Sequence, residues 1–106
     1  MTTGYIRSLI QPVEMALEGN LDIRERDRRL LQQRLAWVEE ELRRGQALDS
    51  ERLRGDMIYV RDAAPDLWDV LVWNLRDAGE MLPVTAQSVL NELAGPAHRR
   101  ATAQGS

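Results

Sequence analysis

The chain has no cysteine. Disulfides, a thiolate nucleophile and cysteine-held metals are excluded, and the composition suits a reducing cytosol. Long apolar runs are also missing. The longest uninterrupted ones, such as Val70 to Trp73, fall far short of a membrane span. The opening "MTTGYIRSLIQP" lacks a basic start followed by a long apolar stretch, so it is not read as a signal peptide. There is no lysine: all 14 Lys/Arg positions are arginine. An arginine-only surface fits phosphate or carboxylate recognition, but the plainer reading is the codon bias of a GC-rich bacterial genome. The net charge is −3, with both signs well mixed, so the basic footprint of a nucleic-acid binder is absent.

At 106 residues the chain is expected to be one domain. No window alternates apolar and polar residues over a strand's length, and β-branched residues are sparse. The fold expected is therefore all-α, a compact bundle of four to five helices over residues 1–95. The polar, small residues 96–106 are read as a disordered C-terminal tail.

Apolar spacing places the helices. The first runs from about Thr3 to Glu18, with Ile6, Leu9, Ile10, Val13 and Leu17 on one face. Pro12 should kink or split it, and Gly19–Asn20 should supply a left-handed stop. The second, expected to be the longest, spans Asp22 to Arg44. Asp22 is a candidate N-cap and Glu25 completes a capping box variant. Leu31, Leu35, Val38 and Leu42 recur at 4-3-4 spacing, a heptad-like seam that Leu30 and Trp37 widen. The third helix, about Ser50 to Asp62, turns Leu53, Met57 and Val60 inward, and Gly55 weakens it by about 1 kcal/mol relative to alanine. Ala64 before Pro65 should leave helical geometry, and Pro65 suits the first turn of the fourth helix, which ends at Gly79. Pro83 opens the fifth, with Ala86, Val89, Leu90 and Leu93 as its apolar face. Gly95–Pro96 stops it.

Catalytic parts are few. His98 is the only histidine and lies in the expected tail, without a partner to orient it. Asp62, Asp66 and Asp69 are close in sequence and could offer oxygen ligands to a divalent cation. Capping and the helix dipole explain aspartates at that place more simply. No glycine-rich phosphate loop occurs. The run Glu39–Glu41 reads as a solvated face beside Arg43 and Arg44. In "RERDRR" the interleaved acids offset half the charge of Arg24, Arg26, Arg28 and Arg29, so a solvated face outranks a DNA contact. No catalytic residue, metal or cofactor is expected.

What stands out is "PDLWDVLVWNLRDAGEMLP", Pro65 to Pro83. Leu67, Trp68, Leu71, Val72 and Leu75 form one stripe at helical spacing, while Val70 and Trp73 point roughly away from it. Trp37 and Trp68 are read as core. Val70 and Trp73 are the candidate partner-binding residues, lying either at an interface or under the first helix.

From Leu67 to Ala94 the pattern Leu-Trp-x-x-Leu-x-x-Asn-Leu-x-Asp-x-Gly-x-x-Leu-Pro resembles the second half of the FlaF family of bacterial flagellar biosynthesis regulators. Leu67, Trp68, Leu71, Leu75, Leu82 and Pro83 match. Asn74 stands where the family tends to have aspartate, and "VTAQS" follows Pro83 where the family tends to have an arginine-containing turn. The chain also adds its N-terminal segment and lacks the family's final helix. The resemblance implies a cytoplasmic, non-enzymatic protein that binds flagellin or another regulator.

The leading expectation is a cytosolic regulator or chaperone-like adaptor that binds another protein through Val70 and Trp73. The alternative is a self-associating structural or inhibitor protein of phage or plasmid type, a homodimer paired through Leu31, Leu35, Val38 and Leu42. A DNA-binding regulator ranks below both, an enzyme ranks last, and no membrane contact is expected.

Overall fold

The computed structural model of the protein describes residues 2–95; the expected tail, with His98, lies outside the described residues. All regular structure within them is helical: α1 (Thr2–Gly19), α2 (Glu25–Arg43), α3 (Ser50–Ala63), α4 (Pro65–Ala78) and α5 (Val84–Ala94). Short 3-10 turns occupy Gly45–Ala47 and Gly79–Met81. Helix α1 packs on α2, α2 on α3, α3 on α4, and α4 back on α1. This closes a ring of four in which α2 and α4 face each other across the core. Helix α5 packs mainly on α3.

The core is made by the apolar stripes. Ile10, Val13 and Leu17 of α1, Leu35 and Val38 of α2, Leu53, Met57 and Val60 of α3, and Leu71 of α4 are fully buried. Each large aliphatic side chain removed from water contributes roughly 1.5–3 kcal/mol before entropy is counted. Leu67, Trp68, Val72 and Leu75 complete the α4 contribution, and Ala86, Val89 and Leu90 that of α5, with Leu93 half-buried against the core.

Helix α1 continues unbroken across Pro12, which sits on its exposed face. Proline has no N–H to offer the Ser8 carbonyl, but Ser8 is exposed and water can serve it. The next carbonyl, that of Leu9, receives Nδ2 of Asn74 from α4 at 3.1 Å. An amide donor suits this position. An aspartate would set a carboxylate against a carbonyl oxygen, which gives Asn74 a physical reason. The lengths of α1 and α2, 18 and 19 residues, differ by less than helix boundaries normally do.

The corner between α1 and α2 departs from expectation. Gly19 has no left-handed backbone and remains in the helix. Asp22 is not the N-cap: α2 begins at Glu25 behind Arg24, and no side chain caps it. Instead the Asn20 side chain accepts from the Asp22 N–H at 3.0 Å. Arg28 then reaches back, donating to the carbonyls of Leu17 at 2.7 Å, Glu18 at 3.3 Å, Asn20 at 3.2 Å and Ile23 at 3.0 Å. One guanidinium thus serves the Leu17 and Glu18 carbonyls in the last turn of α1, together with two carbonyls of the corner beyond it.

The remaining joints are tighter. Asp49 caps α3, accepting from the N–H groups of Glu51 and Arg52. Ala64 alone links α3 to α4, at φ −148° and ψ 77°, with Pro65 in the first turn. Gly79 ends α4 at φ 51° and ψ −118°, a conformation that any side chain would strain.

Candidate functional site

Helix α4 has three differently used sides. Its inner side is core. One flank turns Asn74 to α1, and the other turns Arg76 to α5, where Nη2 donates to the Ala94 carbonyl at 3.1 Å. The strip left between the flanks carries Asp66, Asp69, Val70, Trp73 and Asp77. Relative to Trp73 these lie at i−7, i−4, i−3 and i+4, the positions that share a helix face. Trp73 is 76% exposed and Val70 36%. All three aspartates are exposed. The strip is thus an indole and a valine among carboxylates, with the helix's one cation turned aside. At that exposure Trp73 does not lie under α1, whereas Val70 is partly shielded.

The α2 seam is placed differently. Leu31, Leu35, Val38 and Leu42 are each at most 2% exposed, inside the core that α1 and α3 close over. A second copy would have to displace one of those helices to reach them. This corrects the expectation that the seam was open for self-association: its heptad-like spacing serves packing within the chain.

Two charge runs also change their meaning. Glu39 and Glu41 are buried and Glu40 is exposed, so the three glutamates are not one solvated face. Glu39 accepts from Arg7 of α1 at 2.8 Å and also pairs with Arg43. Glu41 accepts from the Asp49 N–H at 2.9 Å, which ties the end of α2 to the start of α3. In "RERDRR", Arg28 is committed to the α1–α2 corner, while Arg24, Arg26 and Arg29 are exposed. Asp62 sits on α3 beside Arg61, and the described residues contain no group of three acidic or histidine side chains placed for a metal.

A second feature was not foreseen: a groove between α2 and α3. The Arg34 guanidinium lies 5.2 Å from the Trp37 ring centre and 4.7 Å from that of Tyr59, and donates to Asp56 at 2.9 Å. Asp56 is 6% exposed. Burial pushes its carboxyl above the ordinary range, and the Arg34 hydrogen bond opposes that. Beside this stack a concavity of about 380 Å³ is lined by Trp37, Glu40, Glu51, Arg52 and Gly55. Gly55 also borders a shallower hollow on the Tyr59 side of Arg34. Trp37 was expected in the core, yet it is 41% exposed. Its angular offset from the Leu31–Leu42 seam, together with a glycine inside α3, was the available signal.

No protein-family profile, no curated protein and no solved structure matches this chain.

Proposed function

We propose that the chain is a non-enzymatic, protein-binding regulator or adaptor of the cytoplasm, and that it docks through the outer strip of α4 with Trp73 at the centre. The observation that carries this reading is the exposure of Trp73 on the side of α4 away from the core, beside Val70 and three aspartates. Tryptophan offers a large contact area with few rotatable bonds, and it is enriched where binding energy concentrates. Leaving an indole in water gives the fold nothing. The surrounding carboxylates favour a partner with an apolar cleft rimmed by basic residues, and they disfavour a duplex backbone.

The FlaF-type relationship enters at the same level, as the proposal that the partner is flagellin or another flagellar regulator. The matched positions Leu67, Trp68, Leu71, Leu75 and Leu82 are all core, so their shared pattern supports a common helical packing. Among the described residues no helix is long and apolar enough to cross a membrane. The test is capture from an extract of the source cells with wild type and Trp73→Asp side by side. The reading expects a protein retained by wild type and lost from a folded Trp73→Asp. An identical set retained by both would overturn it.

A further inference from the structure

We propose that the groove between α2 and α3, floored by Gly55 and walled by Trp37, binds a guanidinium or ammonium side chain presented by a basic peptide segment. The groove is lined by α2 and α3 and shares no residue with the α4 strip, so the proposal does not depend on that docking reading.

The first support is Gly55 itself. It lies inside α3, where glycine disfavours the helix, and the fold gives no reason for it. Its φ is not positive, it is exposed, and a Cβ placed there would meet no atom within 4 Å. A glycine that neither backbone geometry nor packing demands keeps the helix backbone bare, which is what close approach of a ligand requires.

The second support is the wall. Trp37 already takes a guanidinium, that of Arg34, at 5.2 Å from its centroid, while 41% of the residue stays open to solvent. Because Asp56 balances the Arg34 charge, the open part of the indole keeps a face on which a further cation can stack.

The third support is charge. Glu40, Glu41, Glu51 and Asp56 face this concavity against Arg34 and Arg52. Arg34 is committed to Asp56, Glu41 pairs with Arg44 and Glu51 with Arg54, which leaves Glu40 as the lining carboxylate outside these pairs. A cation entering between Trp37 and Glu40 would gain both the ring and a carboxylate that stands outside the groove's ion pairs. At about 380 Å³ the space lies within the range of ligand pockets and admits a long basic side chain.

The probe is a fluorescein-labelled peptide of alternating arginine and alanine, with lysine and glutamate counterparts, followed by anisotropy at about 50 mM salt, where screening is weak. The arginine and lysine peptides should bind and the glutamate peptide should not. Gly55→Gln fills the groove with a good helix former, so it should hold or raise the melting temperature while weakening peptide binding about tenfold. Trp37→Ala should weaken it similarly, and Trp73→Asp should leave it unchanged. If Gly55→Gln fails to fold, Trp37→Ala decides. The proposal is overturned if neither basic peptide binds, if the glutamate peptide binds equally, or if a folded Gly55→Gln or Trp37→Ala binds as wild type does. It is also overturned if Trp73→Asp abolishes binding, because the peptide would then sit on α4.

Discussion

Helices α2 and α4 stand at opposite corners of the four-helix ring, and each shows a tryptophan to solvent, but the two indoles are not in the same situation. Trp37 is joined to α3 through Arg34, which also contacts Tyr59 and Asp56. Its exposure is partly the result of a contact that helps hold the fold. No cation of the described residues stacks on Trp73, which stands 76% exposed among aspartates. An exposed aromatic is informative in proportion to how little the chain itself asks of it. By that measure the outer strip of α4 is surplus to folding and the outer flank of α2 is not.

The largest effect is expected at the α2 seam. Leu35→Ala should lower unfolding free energy by about 3 kcal/mol, within the range for a fully buried leucine. Urea denaturation would measure it. A small loss accompanied by dissociation of a dimer would return the seam to the role of an interface.

Next is Arg34→Ala, which leaves Asp56 buried without its partner. A fully buried broken pair loses about 3–5 kcal/mol; with the Arg34 side chain a third exposed, about 2 kcal/mol is expected. The pH dependence sharpens this. In the folded chain Asp56 titrates above its ordinary 3.8, so the folded state binds more protons than the unfolded state in the window opening there. Stability from this carboxyl is therefore present at low pH and lost as pH rises through that window. Asp56→Asn removes the effect. Its urea midpoint should gain on that of the wild type as pH rises from about 4 towards neutral.

A smaller effect tests the α1 flank of α4. Asn74→Asp exchanges a donor for an acceptor opposite the Leu9 carbonyl and should destabilise by about 1 kcal/mol at neutral pH. Part of that loss should return as the new carboxyl is protonated. Equal stability of the variant across the pH range would remove the role assigned to this amide.

The positions and stripes of the helices were legible in the sequence because they rest on local rules. Pro65 and Gly79 act on their immediate neighbours, and apolar residues at helical spacing need only a core to face. The charged residues were much less legible. Arg7 meets Glu39 across 32 positions and Arg34 meets Asp56 across 22, so neither partner is visible from the run around it. Glu39 and Glu41 read as solvent-facing because glutamate usually is, and their burial depends on Arg7 and on the Asp49 N–H. Gly19 read as a helix stop because glycine often is one, yet Arg28 does that work from the next helix. At the candidate site, periodicity separated Val70 and Trp73 from the core stripe. It could not say whether α1 would cover them, because that depends on how two helices dock.

The most direct test is equilibrium urea denaturation of Trp73→Asp beside the wild type. If the outer strip of α4 takes no part in folding, the two unfolding free energies should agree within about 1 kcal/mol, the size that new like-charge pairs with Asp69 and Asp77 account for. A loss of about 2 kcal/mol or more, the size expected when a buried aromatic is replaced by a charge, would contradict the account and return Trp73 to the core.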